Sequence, residues 1–168
     1  MAIPQIKKIL YATDLSKNSS YAFLYAIDVA KKNGASIVIL HTIEPIPAYA
    51  EAQASITEAF KKKQHEEIIE SIKGQLQGFC KKAEAEIGPP CVSLVSKILV
   101  PVGHPPEEIL NAANEESCDV IVLGTHGKGF LAHTFLGSVS SAVLHRTRKP
   151  VFIIPLPSEK VSVDWDGI

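Results

Sequence analysis

Five short apolar runs, at residues 6–12, 36–42, 92–102, 119–123 and 151–154, constrain this chain more than any other feature. They carry little strict apolar–polar alternation, and Val120-Ile121-Val122-Leu123 has no polar position at all. Strands of this kind are buried on both faces, as in parallel sheets covered by helices. The segments between them carry helical spacing: Ala22, Tyr25, Ala26 and Val29 recur at intervals of three and four. The order βαβαβαβαβ predicts a single α/β domain, a doubly wound five-stranded parallel sheet with helices on both faces and right-handed crossovers.

Local punctuation sets the expected boundaries. After the first strand, Asp14 and Ser16 are each able to cap a helix over 17–32, which Asn33-Gly34 then stops. Glu44-Pro45-Ile46-Pro47 opens a loop of about ten residues before a long helix over 56–87, with a kink or break expected at Gly74 or Gly78. Gly88-Pro89-Pro90 ends that helix. Pro105 and Pro106, followed by Glu107 and Glu108, start another over 107–117, since proline fits a first turn and carboxylates face the positive end of the dipole. A short helix over 139–146 ends in Arg146, Arg148 and Lys149, read as charge compensation at its negative end. Pro150 and Pro155 bracket the fifth strand as they would an edge strand. Residues 1–157 are expected to form the domain and 158–168 a tail, where Val161, Val163 and Trp165 alternate as in a short extra strand.

Bulk properties exclude several classes. A length of 168 residues, 46% apolar, with a formal net charge of −1, suits one soluble domain and gives no support to nucleic-acid binding. Lys61-Lys62-Lys63 is followed by Glu66 and Glu67 and reads as a solvated helix face. No stretch approaches the roughly 18 to 20 apolar residues of a membrane span. The first strand begins at once, with no room for a leader, so a cytoplasmic protein is expected. Cys80, Cys91 and Cys118 are odd in number and form no Cys-x-x-Cys pair, so reduced thiols are expected.

Function concentrates after the fourth strand. Gly124-Thr125-His126-Gly127-Lys128-Gly129 leads through a spacer to Gly137-Ser138-Val139-Ser140-Ser141. Strand, glycine-rich loop and helix start is an arrangement that holds phosphate on backbone N–H groups. Ser138 and Ser140 are able to add hydroxyl donors, and Ser138 is equally able simply to cap the helix. Asp14 ends the first strand and would either accept from a ribose or base or cap the helix after it. Lys128 suits phosphate or plain solvation, and His126 is within reach of a ligand. Ala12, Asp14, Thr42 and Gly124 all fall at the carboxyl ends of strands, where such sheets bind ligands.

Several chemistries lack their motifs. There is no Gly-x-x-x-x-Gly-Lys-Ser/Thr loop, no Gly-x-Gly-x-x-Gly after strand one and no nucleophile elbow. The histidines show no metal-ligand spacing with each other or with cysteine. No catalytic residue can be named, and the site reads as built to bind more than to react.

The spacing Gly, two residues, Gly, nine residues, Gly-Ser is complete at Gly124, Gly127, Gly137 and Ser138. With Ile9 to Ser16, Ile39-Leu40-His41-Thr42 and Val102-Gly103-His104-Pro105, it makes the chain resemble the universal stress protein family, in its ATP-binding branch, from about Ile6 to Pro155. The resemblance implies an adenine nucleotide alpha hydrolase-like sandwich with strand order 3-2-1-4-5. It implies Ala12, Thr13, Asp14 and Thr42 on the base and ribose side. Gly124, Thr125, His126, Gly127, Lys128, Gly129, Gly137, Ser138, Val139 and Ser140 would hold ribose and phosphates. Ala12 and Thr42 stand where ATP-binding relatives often have proline and valine. The implied ligand is ATP or AMP, with magnesium an open addition to ATP. A homodimer through Val151, Phe152, Ile153 and Ile154 is implied too, with an unknown downstream protein partner. The expected role is a nucleotide-dependent regulator of the stress response. The alternatives are a slow Mg-dependent ATP hydrolase or phosphotransferase, and a dimeric scaffold indifferent to nucleotide.

Overall fold

The computed structural model describes residues 2–87, 91–125 and 136–155, without the side chains of 17, 18, 79, 82, 83, 86 and 87. Its elements in chain order are β1 (Lys8–Ala12), α1 (Lys17–Asn33), β2 (Ser36–Leu40), α2 (Ala48–Gln53) and α3 (Glu58–Ile87). A 3-10 turn (Val92–Leu94) then leads into β3 (Val95–Leu99), α4 (Pro105–Glu115), β4 (Val120–Gly124), α5 (Ser138–Arg146) and β5 (Val151–Ile154). The five strands form one parallel sheet in the order β3-β2-β1-β4-β5.

Alternate residues of the buried strands feed two cores. Ile9, Tyr11, Ile37, Ile39, Val120 and Val122 face α1 and α3, where Phe23, Ala26, Ile27 and Cys80 meet them. Leu10, Val38, Leu40, Ile121 and Leu123 face α4 and α5, against Ile109, Ala113 and Val143. Both faces are thus covered, which is why the strands show no polar stripe. The sheet reverses direction at β1: the chain winds outward through β2 and β3, then crosses to β4 beside β1. In sheets wound this way the reversal marks a crevice at the carboxyl ends of the strands beside it, here β1 and β4.

Differences from the sequence expectations have local causes. The ten-residue loop contains α2, which buries no residue and so leaves no apolar stripe to read. Gly74 and Gly78 do not break α3: the backbone stays helical through both, and a Cβ at either position would meet open space. The third strand is shorter than 92–102: a register shift opposite Ile37 and Val38 leaves Ser96 as an extra residue, and its hydroxyl donates to Ile37 O at 3.3 Å. Beyond β3, only the bridge between Ile43 and Val102 continues the pairing. Gly34 closes α1 as expected, in the left-handed conformation (φ 62°).

The cysteines also depart from expectation. Cys80 of α3 and Cys91 form a disulfide with a Cα–Cα distance of 5.2 Å, while Cys118 is free and buried. A separation of 11 positions carries no motif, so only the return of the chain beside α3 reveals the pairing. Burial pushes the Cys118 thiol up to about 11. The proposed tail, 158–168, lies outside the described residues. No helix among them is long and apolar enough to cross a membrane.

Candidate functional site

The β1 side of the crevice is a knot of short hydrogen bonds. Thr13 N donates to Leu40 O at 2.9 Å and so ties the end of β1 to β2. The Thr13 hydroxyl lies 2.9 Å from Ser19 Oγ and accepts from Leu15 N at 3.0 Å. The Tyr11 hydroxyl donates to Ser19 O at 2.6 Å, and burial pushes its phenol above the ordinary range. These bonds hold Leu15 at φ 64°, a left-handed conformation that a leucine adopts only when its surroundings impose it.

The two candidate caps resolve into different roles. Ser16 is the cap of α1, its side chain accepting from Ser19 N at 3.3 Å. Asp14 Oδ1 accepts from Ser16 N at 3.0 Å, which turns the carboxylate into the loop just before the cap. Ala12 is the last residue of β1 and is buried, and Thr42 is half-buried between the end of β2 and the Ile43–Val102 bridge.

Sequence reasoning missed His41. Its Nδ1 lies 2.9 Å from Thr13 O, and a carbonyl only accepts, so Nδ1 carries the proton. The ring thereby fixes the peptide between Thr13 and Asp14. Similarly, Nε2 of His65 on α3 donates to Val100 O at 2.6 Å, just past β3. The only signal for His41 was its place after a buried strand, where a side chain meets the loop of the neighbouring strand.

On the β4 side, Gly124 is the last strand residue and pairs with Ile154. Thr125 N donates to Ile154 O at 3.0 Å, and Thr125 O accepts from Gly137 N at 2.7 Å. That second bond brings together the two ends of the glycine segment. The Ser140 hydroxyl is buried and donates to Gly124 O at 2.7 Å, so it braces the strand end.

The cap of α5 is Gly137, not Ser138, and glycine has no side chain to accept from the first turn. Ser138 is the first helical residue, so its hydroxyl is not the cap that the sequence allowed. The first-turn N–H groups of Ser138, Val139 and Ser140 have no intrahelical acceptor, by the geometry of any helix start. None of the three finds a backbone acceptor among the described residues. Three such donors at the positive end of a helix dipole suit a phosphate or carboxylate.

Thr13 and Gly124 stand two residues beyond the registered pair Tyr11–Val122, so both segments reach the same edge of adjacent strands. Ala12, Thr13, Asp14, Gly124, Thr125 and the start of α5 therefore share one end of the sheet, with Thr42 one strand further out. His126, Gly127, Lys128 and Gly129 lie outside the described residues. Among the described residues no group of three or more His, Cys, Asp or Glu is placed to hold a metal ion.

Strand order and layering define an α/β sandwich of the adenine nucleotide alpha hydrolase-like class, and solved structures of that class superpose on it. The universal stress protein family model matches residues 5–155, and the chain belongs to that family. Universal stress protein MJ0577 of Methanocaldococcus jannaschii is 28% identical over 159 residues, covering 88% of this chain and 94% of the relative. A universal stress protein from Thermus aquaticus is 33% identical over 148 residues, covering 88% and 98%. The structure of MJ0577 superposes with a TM-score of 0.68 at 26% identity, covering 92% of this chain and 99% of that one. A universal stress protein solved in complex with cAMP superposes at 0.57 with 23% identity, covering 90% and 98%.

Proposed function

We propose that the protein binds ATP or AMP in the crevice between β1 and β4 and acts as a nucleotide-dependent regulator of the stress response. The observation that carries this reading is the start of α5, whose first-turn N–H groups find no backbone acceptor among the described residues. Three backbone donors face the same edge as Asp14, inside a complete glycine spacing. Phosphates would take the N–H groups of Ser138, Val139 and Ser140, along with the glycine segment 124–129. Base and ribose would lie toward Ala12, Thr13, Asp14 and Thr42. The cAMP complex of a family member with this fold supports an adenine ligand.

Regulation fits better than turnover. Among the described site residues Asp14 is the one carboxylate at the crevice, and no general base stands beside a nucleophile. Magnesium would come with ATP, and hydrolysis would be weak at most. The bound nucleotide would bias the segment 124–137 between two arrangements, and a downstream protein would read the difference. Among the described residues Val151, Phe152, Ile153 and Ile154 form an edge strand with one side unpaired, which suits a homodimer in the cytoplasm.

Mass spectrometry of the purified protein is expected to find a co-purified adenine nucleotide, and ATP at about a hundred times its Kd should stabilise the fold by about 2.7 kcal/mol. No co-purified nucleotide and no thermal shift with millimolar ATP or AMP would overturn the proposal.

A further inference from the structure

At the opposite end of the sheet from the crevice, α4 and the turn from α5 to β5 enclose a cleft of about 300 Å³. Leu110 and Ala113 make its apolar wall and Asn114 its polar rim, while Arg146, Arg148 and Lys149 face them with no acid among the lining residues. Compensation of the α5 dipole accounts for only part of this charge. His145 lies against a carbonyl of α5, 2.8 Å from Ser141 O, and Arg146 pairs with Glu107 of α4 at 2.5 Å. Arg148 and Lys149 lie beyond the cap residue Thr147. The Lys149 ammonium donates to Cys118 O at 2.6 Å, a neutral carbonyl in the loop after α4. Neither Arg148 nor Lys149 forms an ion pair among the described residues. Asp119 feels the charge of Lys149, but its carboxylate accepts from the N–H groups of Lys7 and Lys8 at 2.8 and 2.9 Å.

Two cations without an acid partner, beside an apolar wall, describe a receptor for an anion that carries carbon. We infer that this cleft binds an organic phosphate ester, separately from the nucleotide crevice. The phosphoryl group would sit between the Arg148 fork and the Lys149 ammonium, with Asn114 and the Thr147 hydroxyl at its edge. The organic part would lie on Leu110 and Ala113. A cleft of this volume is in the range of small-molecule sites and is larger than a bare phosphate needs.

The test is amide NMR on the full chain, titrated with phenyl phosphate, with inorganic phosphate, with a triglutamate peptide, and with chloride at equal ionic strength. Phenyl phosphate is expected to give saturable shifts at Asn114, Thr147, Arg148 and Lys149, at lower concentration than inorganic phosphate. Arg148→Ala should weaken it about tenfold, and the double variant with Lys149→Gln about a hundredfold, as for lost charge-assisted bonds. Both variants should keep any response at Ser138, Val139 and Ser140, and Arg148→Ala, which breaks no ion pair among the described residues, should keep the thermal midpoint. Shifts confined to those three residues, or linear shifts matched by chloride, would overturn the proposal. Equal affinity for inorganic phosphate would remove the role of the apolar wall, and tighter binding of triglutamate would replace the ligand class.

Discussion

Gly137 N–H donates to Thr125 O at 2.7 Å, and this bond holds the two ends of the glycine segment together. Gly137 has φ −68° and ψ 165°, a conformation open to any residue, so the fold itself does not demand glycine there. What glycine leaves is a helix start whose cap residue brings no side chain to it. Gly137→Ser would supply a hydroxyl that accepts from the N–H of Val139 or Ser140 and so would compete with a phosphate bound as proposed. The expected result has opposite signs in two assays: stability rises by roughly a few tenths of a kcal/mol, while ATP affinity falls by about tenfold. Thermal melts without nucleotide and an ATP titration check both.

Ser140 offers the converse experiment. Its buried hydroxyl bonds to Gly124 O at 2.7 Å and joins the end of β4 to α5. Ser140→Ala leaves that carbonyl short of a donor and should lower stability by about 1 to 2 kcal/mol. Nucleotide affinity should fall only modestly, because the backbone N–H of residue 140 is retained. Urea unfolding followed by circular dichroism measures the first effect, and calorimetric titration the second.

Much of this was legible in residue order. Val120 to Leu123 announced a doubly buried strand, and the glycine spacing carried the resemblance to the family, because both depend on neighbours along the chain. What stayed hidden depends on neighbours in space. Thr13 and His41 are 28 positions apart and meet only because β1 and β2 are adjacent. Cys80 and Cys91 meet because the chain returns beside α3. Asp14 and Ser16 were indistinguishable as caps until the turn at Leu15 placed one before the helix and the other at its start. Helix α2 was illegible for another reason: with no buried side chain, it imposes no pattern on its sequence.

Glu107 links the start of α4 to the end of α5 through Arg146, and His104 contacts it from the residue before the helix. Hydrogen bonds from Arg146 first, then His104, hold its carboxyl at about 2, well below the ordinary carboxylate value of 4.5. A carboxyl held low in the fold contributes stability above its unfolded pKa and loses it as pH falls toward the folded one. The contribution should therefore fade between about pH 4.5 and about pH 2. Glu107→Gln should abolish that part of the acid dependence, with little change in its slope above the window. The group is exposed, so the difference will be small and best read from paired denaturant midpoints at low salt.

Helix α3 runs from Glu58 to Ile87, yet among its described side chains only Ile72 and Cys80 are buried. Leu76 packs partly against the same core, so one apolar row at spacing four, with the His65 bond to Val100 O, attaches a 30-residue helix to the sheet. The Cys80–Cys91 bond makes the lower end of that row covalent, and Glu84 Oε1 adds a bond from Cys91 N at 2.9 Å. Closing a loop of this size restricts the unfolded chain by about 3 kcal/mol in the chain-entropy model. Cys80→Ser with Cys91→Ser, or reduction by a phosphine, should lower stability by about that amount. The loss should be uneven. Helix α1 buries Ala22, Phe23, Ala26, Ile27 and Ala30 and should keep its protection from hydrogen exchange. Helix α3 should lose protection first, beginning near Glu58 and spreading past Leu76 once the bond is open. Equal loss in α1 and α3 would mean instead that the disulfide supports the whole core and not the docking of one helix.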